Sequence, residues 1–428
     1  TGVQTCALPI SDTYVKGAGT STNVYRMNNI IQYRPVPGVS TFVDPEYDDP
    51  EHYEMVFGLT SINRNPVKVT LDDYQRSKTL TYNLNGAATV RFSKSLTYRF
   101  NYGLQNTEVE RNVYYGLYTS NAYSTGRPLA GKTKTTLKSY RLTNTLTFRK
   151  SGFLPGNNLT ILLGEELTKS GSKNFSISAN MFPEYIDATS AISMMSLGTV
   201  TNVDTGIRTP SSLASFFGRL NYDYKGKYLA SATLRADGSS KFAPGNQWGY
   251  FPSFGLAWNI MDEKFMKGMK QWLTFLKLRA SYGQSGNNRI PDNAWQKTFE
   301  VATGTLYIGS DQYYRTPYLQ AGIVLPNEKL KWETTITRNI GFDFGLLKQR
   351  FSGFVELYKN TTQDLLIRAS IPSASGYSYQ WQNIGQTSNK GLEVKLDGII
   401  INQGDFRLSA SFNIGFNKNK IDKLGEAK

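Results

Sequence analysis

The chain has 428 residues, 39% of them apolar, with a mean hydropathy of −0.40, a formal charge of +15 and one cysteine, Cys6. That polarity excludes a bundle of membrane-spanning helices, because no uninterrupted apolar run reaches the roughly 18 residues such a helix requires, and a lone cysteine excludes an internal disulfide framework or a thiolate metal site. The positive charge fits an anionic surface or solute; nucleic acid fits poorly, since no recognition helix, zinc spacing or arginine-rich tract accompanies the charge, and the lysines and arginines are scattered over inward strand positions and turns, as solvated side chains are.

The opening segment 1–10, TGVQTCALPI, has neither strand alternation nor the basic start and apolar core of a signal peptide. It resembles translated sequencing adapter and is set apart as non-native, leaving 11–428 as one unit with no linker between two cores. The next distinctive stretch is acidic and Pro-rich: Asp44, Glu46, Asp48, Asp49 and Glu51, followed by His52, the sole histidine. Its carboxylates are ligands of the kind a hard cation takes, but the spacing is not an EF-hand, and a solvated acidic loop is the simpler reading. A Ser-His-Asp or Cys-His site would have to use His52, and no nucleophile sits near it at an elbow. No catalytic residue, metal site or cofactor is therefore expected, and the chain is read as a non-enzyme.

From Leu80 the pattern is period two. Leu80, Tyr82, Leu84, Gly86, Ala88, Val90 and Phe92 alternate with polar or small residues; after Ser93–Ser95, Leu96, Tyr98, Phe100, Tyr102 and Leu104 do the same. Alternation of this kind is strand, and each arm has the roughly 9 to 11 residues of a tilted strand crossing a bilayer. The rule continues through Leu142, Leu146 and Phe148, interrupted by Asn144, and through Leu159, Ile161, Leu163 and Leu167, where Glu165 is the exception. It returns in Ala214–Tyr224, in Tyr228–Ala236 across the turn Lys225–Lys227, and in Tyr250–Ile260, Leu276–Tyr282, Ile336–Phe344, Leu392–Ile400 and Phe406–Phe416. The stretch Met261–Leu273, with Phe265, Met266, Met269 and Trp272 at mixed helical spacing, predicts a small helix on the short-turn side.

Connections alternate in length. Short ones fall near 93–95, 151–157, 225–227, 347–350 and 401–404; long ones span 108–138, 170–213, 284–332 and 360–388. Short turns on one side and long loops on the other predict an all-β, antiparallel, up-and-down transmembrane barrel in the outer membrane, with periplasmic turns and extracellular loops. About 14 strands are legible. Nothing closes the sheet, and an open edge does not sit in lipid, so strands are expected to be missing; with no secretion signal at its start, the chain is expected to be an internal fragment. The 27 tyrosines suit two interfacial aromatic belts.

Several motifs carry a family likeness: LRADGSSKFAPGNQWGYFPSFGLAWNI from Leu234, LKLRASYGQSGNN from Leu276, Leu330–Thr334, NIGFDFGLL from Asn339, YKNTTQDLL from Tyr358 and NIGQTSNKGLEV from Asn383. In this order they resemble the barrel of SusC/RagA-type TonB-linked outer-membrane receptors, from Tyr25 to the end. The resemblance implies a barrel of about 22 strands around a plug, energy drawn from TonB, ExbB and ExbD through an N-terminal region not found here, and uptake of oligosaccharides or peptides beneath a SusD-like surface lipoprotein. By that resemblance, the plug, the first strands and a last strand ending in an aromatic residue are expected to lie outside this sequence. A passive porin is the alternative from the same architecture, and a secreted β-rich adhesin a more distant one.

The candidate substrate-binding residues are loop aromatics: Tyr313, Tyr314 and Tyr318 in one long loop, and Tyr377, Tyr379 and Trp381 in the next, with Tyr114, Tyr115, Tyr118 and Tyr123 in an earlier one. Flat rings with a polar tip stack on sugar faces or peptide side chains while hydrogen-bonding; the competing reading is that they pack loop on loop or against the lid protein. The Gly-rich piece Gly238–Gly249 is not a phosphate cradle, having no helix after it, and Arg235 with Asp237 is expected to form an ion pair in the lumen or at its rim.

Overall fold

The computed structural model describes residues 10–16, 66–117, 119–123, 125–302 and 318–424. In chain order these form β1 (Ile10–Lys16), α1 (Pro66–Asp72), β2 (Asp73–Arg91), β3 (Leu96–Tyr115), α2 (Ser120–Tyr123), β4 (Leu129–Ser151), β5 (Asn157–Asn180), α3 (Ala188–Ser193), β6 (Thr199–Tyr224), β7 (Tyr228–Ser239), β8 (Trp248–Asn259) and β9 (Leu273–Asn287). There follow β10 (Phe299–Ala302), β11 (Tyr318–Ala321), β12 (Val324–Leu325), β13 (Glu333–Leu346), β14 (Phe351–Gln363), β15 (Leu366–Ser370), β16 (Tyr379–Asn383), β17 (Gln386–Gln403) and β18 (Phe406–Lys423). One 13-stranded antiparallel sheet runs β1-β2-β3-β4-β5-β6-β7-β8-β9-β13-β14-β17-β18, against the roughly 14 strands expected. It is an open wall, with β1 and β18 at its two ends. Ile10, which the sequence reading set apart with the opening segment, is the first residue of β1 and pairs with Leu80.

The hairpin of β2 and β3 shows why the sheet takes this register. Leu84 faces Leu104, Gly86 faces Tyr102, Ala88 faces Phe100 and Val90 faces Tyr98, so the apolar sets of both arms fall on one face. A slip of one residue would turn every one of them to the wrong side. Leu84, Val90 and Phe92 are exposed on that face, as are Leu163, Phe216, Leu256, Ile340, Leu357 and Phe412 further round. A large sheet presenting its apolar residues outward is the inverse of a soluble sandwich and is what lipid requires. The opposite face is polar: the Thr81 and Thr107 hydroxyls lie 3.2 Å apart across the same hairpin.

The turns sort by side as expected, with 92–95, 152–156, 225–227, 260–272, 347–350 and 404–405 at one end. Two expectations need correction. The upper strands are longer than the apolar pattern shows: Tyr114 and Tyr115 belong to β3 rather than to a loop, and the connection to β4 shrinks to 116–128. Above the lipid both faces of a strand meet water, so alternation fades while backbone pairing continues, here with Glu110 and Glu108 bound to Lys132 (3.4 Å) and Lys134 (3.5 Å). The small helix expected over Met261–Leu273 is instead two 3₁₀ turns, Ile260–Asp262 and Lys264–Met269. Glu263 between them is tied to the wall, and that anchor breaks the helical repeat. Met261, Met266 and Leu273 are buried there, while Phe265 and Trp272 stay exposed at the interface level.

Candidate solute path at the barrel mouth

The inner face is built from the residues that alternate with the lipid-facing ones, and two of its arginines gather carboxylates around them. Arg235 on β7 donates to Asp237 at 2.7 Å and to the Ser215 hydroxyl at 2.9 Å; Glu166 on β5 lies 3.7 Å away, and the guanidinium sits over the Phe217 ring. The ion pair expected between Arg235 and Asp237 is thus present. Lower down, Arg279 on β9 bridges Asp343 on β13 (3.1 Å) and Glu356 on β14 (2.6 Å) and covers Phe354. Arg279 joins carboxylates of two adjacent strands and Arg235 those of its own strand and of β5, a geometry the planar guanidinium supports.

Nearer the mouth, a pocket of about 420 Å³ is lined by Gln105, Thr107, Ser139, Ser170, Ser211 and Leu137, among others. Its far side is the segment after β9, held down by Asp292: Arg208 approaches it at 2.8 Å and Lys241 at 3.7 Å, and Lys241 also donates to the Ile290 carbonyl at 3.0 Å. Hydroxyls and an amide on the wall face Asp292 with Arg208 and Lys241, and Lys138 adds a third cation to the lining, a surface that hydrogen-bonds sugar hydroxyls or peptide carbonyls and leans toward acceptors. Sequence reasoning missed this pocket. Arg208, Lys241 and Asp292 lie far apart in the chain, and none belongs to a motif that marks it.

Beside the pocket the loops close on an apolar knot of Phe242, Phe251, Ile290, Ala294, Leu330 and Trp332. The Trp332 ring meets Phe242 at 5.4 Å and Phe251 at 5.5 Å, and its indole N–H donates to the Gln247 carbonyl at 2.9 Å. Phe251 lies across Gly249 and Gly286, where any side chain would strike its ring. The motif from Leu234 therefore serves largely to seat loops in the mouth. A second knot of Tyr114, Ala130, Ala179, Phe182 and Ala191 holds the segment 181–198, with the Tyr114 hydroxyl donating to the Ile186 carbonyl at 2.6 Å. Asp187 caps α3, and the Ser190 hydroxyl at 2.6 Å with the Thr189 and Ser190 amides holds its carboxyl below the usual range.

Of the candidate aromatics, Tyr313, Tyr314 and Tyr118 lie outside the described residues, as do Cys6, His52 and the acidic stretch 44–51. Tyr318 opens β11, opposite Ala302. Tyr379 and Trp381 share β16 one period apart, but their environments differ. Arg368 stacks on the Tyr379 ring at 4.1 Å, while Trp381 packs against the Phe242 knot and its carbonyl accepts from Asn327 at 2.7 Å. Tyr377 precedes the strand, half-buried. Among the described residues, no group of three or more His, Cys, Asp and Glu is arranged to hold a metal ion.

Residues 16–427 match the family described as TonB dependent receptor-like, beta-barrel. TonB-dependent receptor P3 of Formosa agariphila is 32% identical over 370 residues, covering 84% of this chain and 35% of that protein. TonB-dependent receptor SusC of Bacteroides thetaiotaomicron is 40% identical over 223 residues, 51% of this chain and 22% of SusC. Among solved structures, the RagAB peptide transporter matches with a TM-score of 0.75 at 25% identity, over 86% of this chain and 39% of that one. The chain thus spans about a third or less of the length of these curated relatives. With an outward apolar face, one-sided long loops and this match, the chain belongs to the β-barrel family of TonB-dependent receptors and lies in the outer membrane.

Proposed function

We propose that the chain forms wall and mouth of a nutrient importer that takes up oligosaccharides or peptides beneath a SusD-like surface lipoprotein and is energised through TonB, ExbB and ExbD. The observation that carries this reading is the hydroxyl-lined pocket between β3–β6 and the Asp292 segment, at the extracellular end of a polar inner face. Such a lining offers donors and acceptors to a polar solute, and the charged pairs of Arg235 and Arg279 line the way down. Tyr313, Tyr314, Tyr318, Tyr377 and Tyr379 are candidate ring contacts, with Trp381 a support behind them. Peptide as a solute class is supported by the likeness to RagAB, a peptide transporter, and the TonB coupling by the likeness to SusC, a TonB-dependent receptor.

The test is uptake of labelled oligosaccharides and labelled peptides by cells expressing the receptor, with and without a protonophore and with and without the adjacent lipoprotein gene. Uptake abolished by the protonophore supports active import, and dependence on the lipoprotein supports the lid. Uptake that survives the protonophore, with the selectivity of a sieve, would establish the passive porin instead.

A further inference from the structure

Four cations stand side by side on the outward face of the wall. Arg338 on β13 is paired with Lys359 on β14, Lys359 with Lys390 on β17, and Lys390 with Lys418 on β18. Directly opposite residues on adjacent strands have Cβ atoms only about 4.5–5.5 Å apart, and like charges in such positions repel. All four side chains are exposed, and among the described residues none of them enters an ion pair. At the edge of the row Asp422 is held by Lys420 at 3.7 Å and by Gln386 at 3.3 Å, and its attraction to Lys359 is weaker than that to Lys420. On the upper part of β3 and β4 the wall neutralises its lysines, Lys132 with Glu110 and Lys134 with Glu108.

The position of the row sets its partner. Immediately below it, toward the short turns, comes the apolar row Ile340, Leu357, Leu392, Phe416, and under that Phe342, Val355, Val394, Ile414. Two more such rows reach the 347–350 turn, so the lipid-facing band ends where the cations begin. A groove of 620 Å³ lies between the cation row and the Ile340 row, lined by both. Its floor is the strand backbone between the two rows, Asn339, Tyr358, Gly391 and Asn417. One side of the groove is apolar and the other cationic, at the outer border of the membrane.

We infer that this groove holds the phosphate-bearing headgroup of an acylated lipid of the outer leaflet, with phosphate against Arg338, Lys359, Lys390 and Lys418 and the first acyl segments against Ile340, Leu357, Leu392 and Phe416. A phosphate monoester carries up to two negative charges and relieves the repulsion along the row. Arg338 at the β9 end, its guanidinium over the Tyr282 ring, offers a planar fork for phosphate oxygens.

The experiment is native mass spectrometry of the intact receptor in mild detergent, titrated with bisphosphorylated lipid A, with the same lipid dephosphorylated, and with inorganic phosphate as competitor. The variant Lys359→Gln/Lys390→Gln/Lys418→Gln is expected to lose affinity for the phosphorylated lipid on the order of a hundredfold, about fivefold per lysine. The dephosphorylated lipid should bind weakly to both proteins, and excess inorganic phosphate should fail to displace the lipid. Lys264→Gln/Lys267→Gln/Lys270→Gln removes the same charge from the opposite end and should leave binding unchanged. Equal binding by wild type and the first triple variant, equal loss in both triple variants, or indifference to the phosphates would each overturn the assignment. Should the first triple variant not fold, judged by loss of the heat-modifiable gel shift, Lys390→Gln alone must still show the fivefold loss for the proposal to stand.

Discussion

The Asn144 side-chain amide donates to the Glu165 carboxylate across 2.7 Å on the lipid-facing side of the wall, with Leu163 and Leu167 flanking the acid. Tyr98 completes the chain, its hydroxyl donating to the Asn144 side-chain oxygen at 2.6 Å. The two residues that break the apolar alternation are thus each other's partners, and together they keep a carboxylate satisfied within an apolar surface. Asn144→Leu should destabilise the barrel by about 2 kcal/mol, because it strands Glu165. The double variant Asn144→Leu/Glu165→Leu should regain most of that loss, since removing both polar partners is far milder than removing one. Urea unfolding in lipid vesicles measures both; a double variant no more stable than Asn144→Leu would show that the pair is not coupled.

Glu263 predicts an acid-sensitive anchor on the short-turn side. The Tyr228 hydroxyl at 2.6 Å, then the Trp258 indole at 3.2 Å and Lys227 at 3.4 Å, hold its carboxyl below the ordinary value of 4.5. A carboxyl whose folded pKa is depressed stabilises fully above its unfolded value, and that contribution is lost as pH falls through the folded one. Glu263→Gln should therefore lower Tm at pH 7, and the gap from wild type should close as pH falls below the ordinary carboxyl value. A gap of constant size across that range would mean that the carboxylate charge plays no part.

The β13–β14 turn carries three consecutive left-handed residues, Leu347, Lys348 and Gln349, with φ of 50°, 57° and 64°. None is glycine, and the conformation is imposed by bonds on either side: the Leu347 amide donates to the Trp272 carbonyl at 2.7 Å and the Gln349 amide to the Thr274 hydroxyl at 3.2 Å. Lys348→Gly should stabilise by about 0.5–1 kcal/mol, the relief of left-handed strain less the added freedom of the unfolded glycine. Denaturant midpoints compare the two proteins, and a lower midpoint for the variant would contradict the strain argument.

Trp332→Phe keeps the ring in the mouth knot but loses the bond to the Gln247 carbonyl. That bond ties the residue before β13 to the β7–β8 loop, so its loss, worth about 1 kcal/mol, should fall on loop docking rather than on the wall. Cleavage by trypsin at Arg289 and Lys297 on intact cells should quicken roughly fivefold, with the heat-modifiable gel shift unaltered. Unchanged cleavage would place the docking strength in the ring contacts alone.

What could be read from the sequence follows the lipid. Leu84 opposite Leu104 and Val90 opposite Tyr98 are legible because a bilayer demands an apolar residue at every second place, whatever else the strand does. The same rule hides Tyr114, which lies above the membrane, where pairing continues without a solvent-imposed pattern. It also hides the Asp292 anchor, because Arg208 and Lys241 reach it across long stretches of chain and ion pairs leave no periodic trace. Trp381 shows the limit for single residues: nothing in the sequence of an outer loop reveals that an aromatic packs, as Trp381 does, against Phe242 and its neighbours.

The unequal heights of the wall have a mechanical consequence. β5 and β6 run for 24 and 26 residues, whereas β7, β8, β13 and β14 run for 12, 12, 14 and 13. At about 3.4 Å per residue and a tilt near 45°, the tall flank rises roughly 60 Å along the membrane normal and the low flank about half as far. The rim is therefore a parapet with a gap. In the importer proposed above, cargo arriving from outside would meet the high side before the seated loops of the low side, and a cap resting on both flanks would have to swing on a slant instead of lifting straight off.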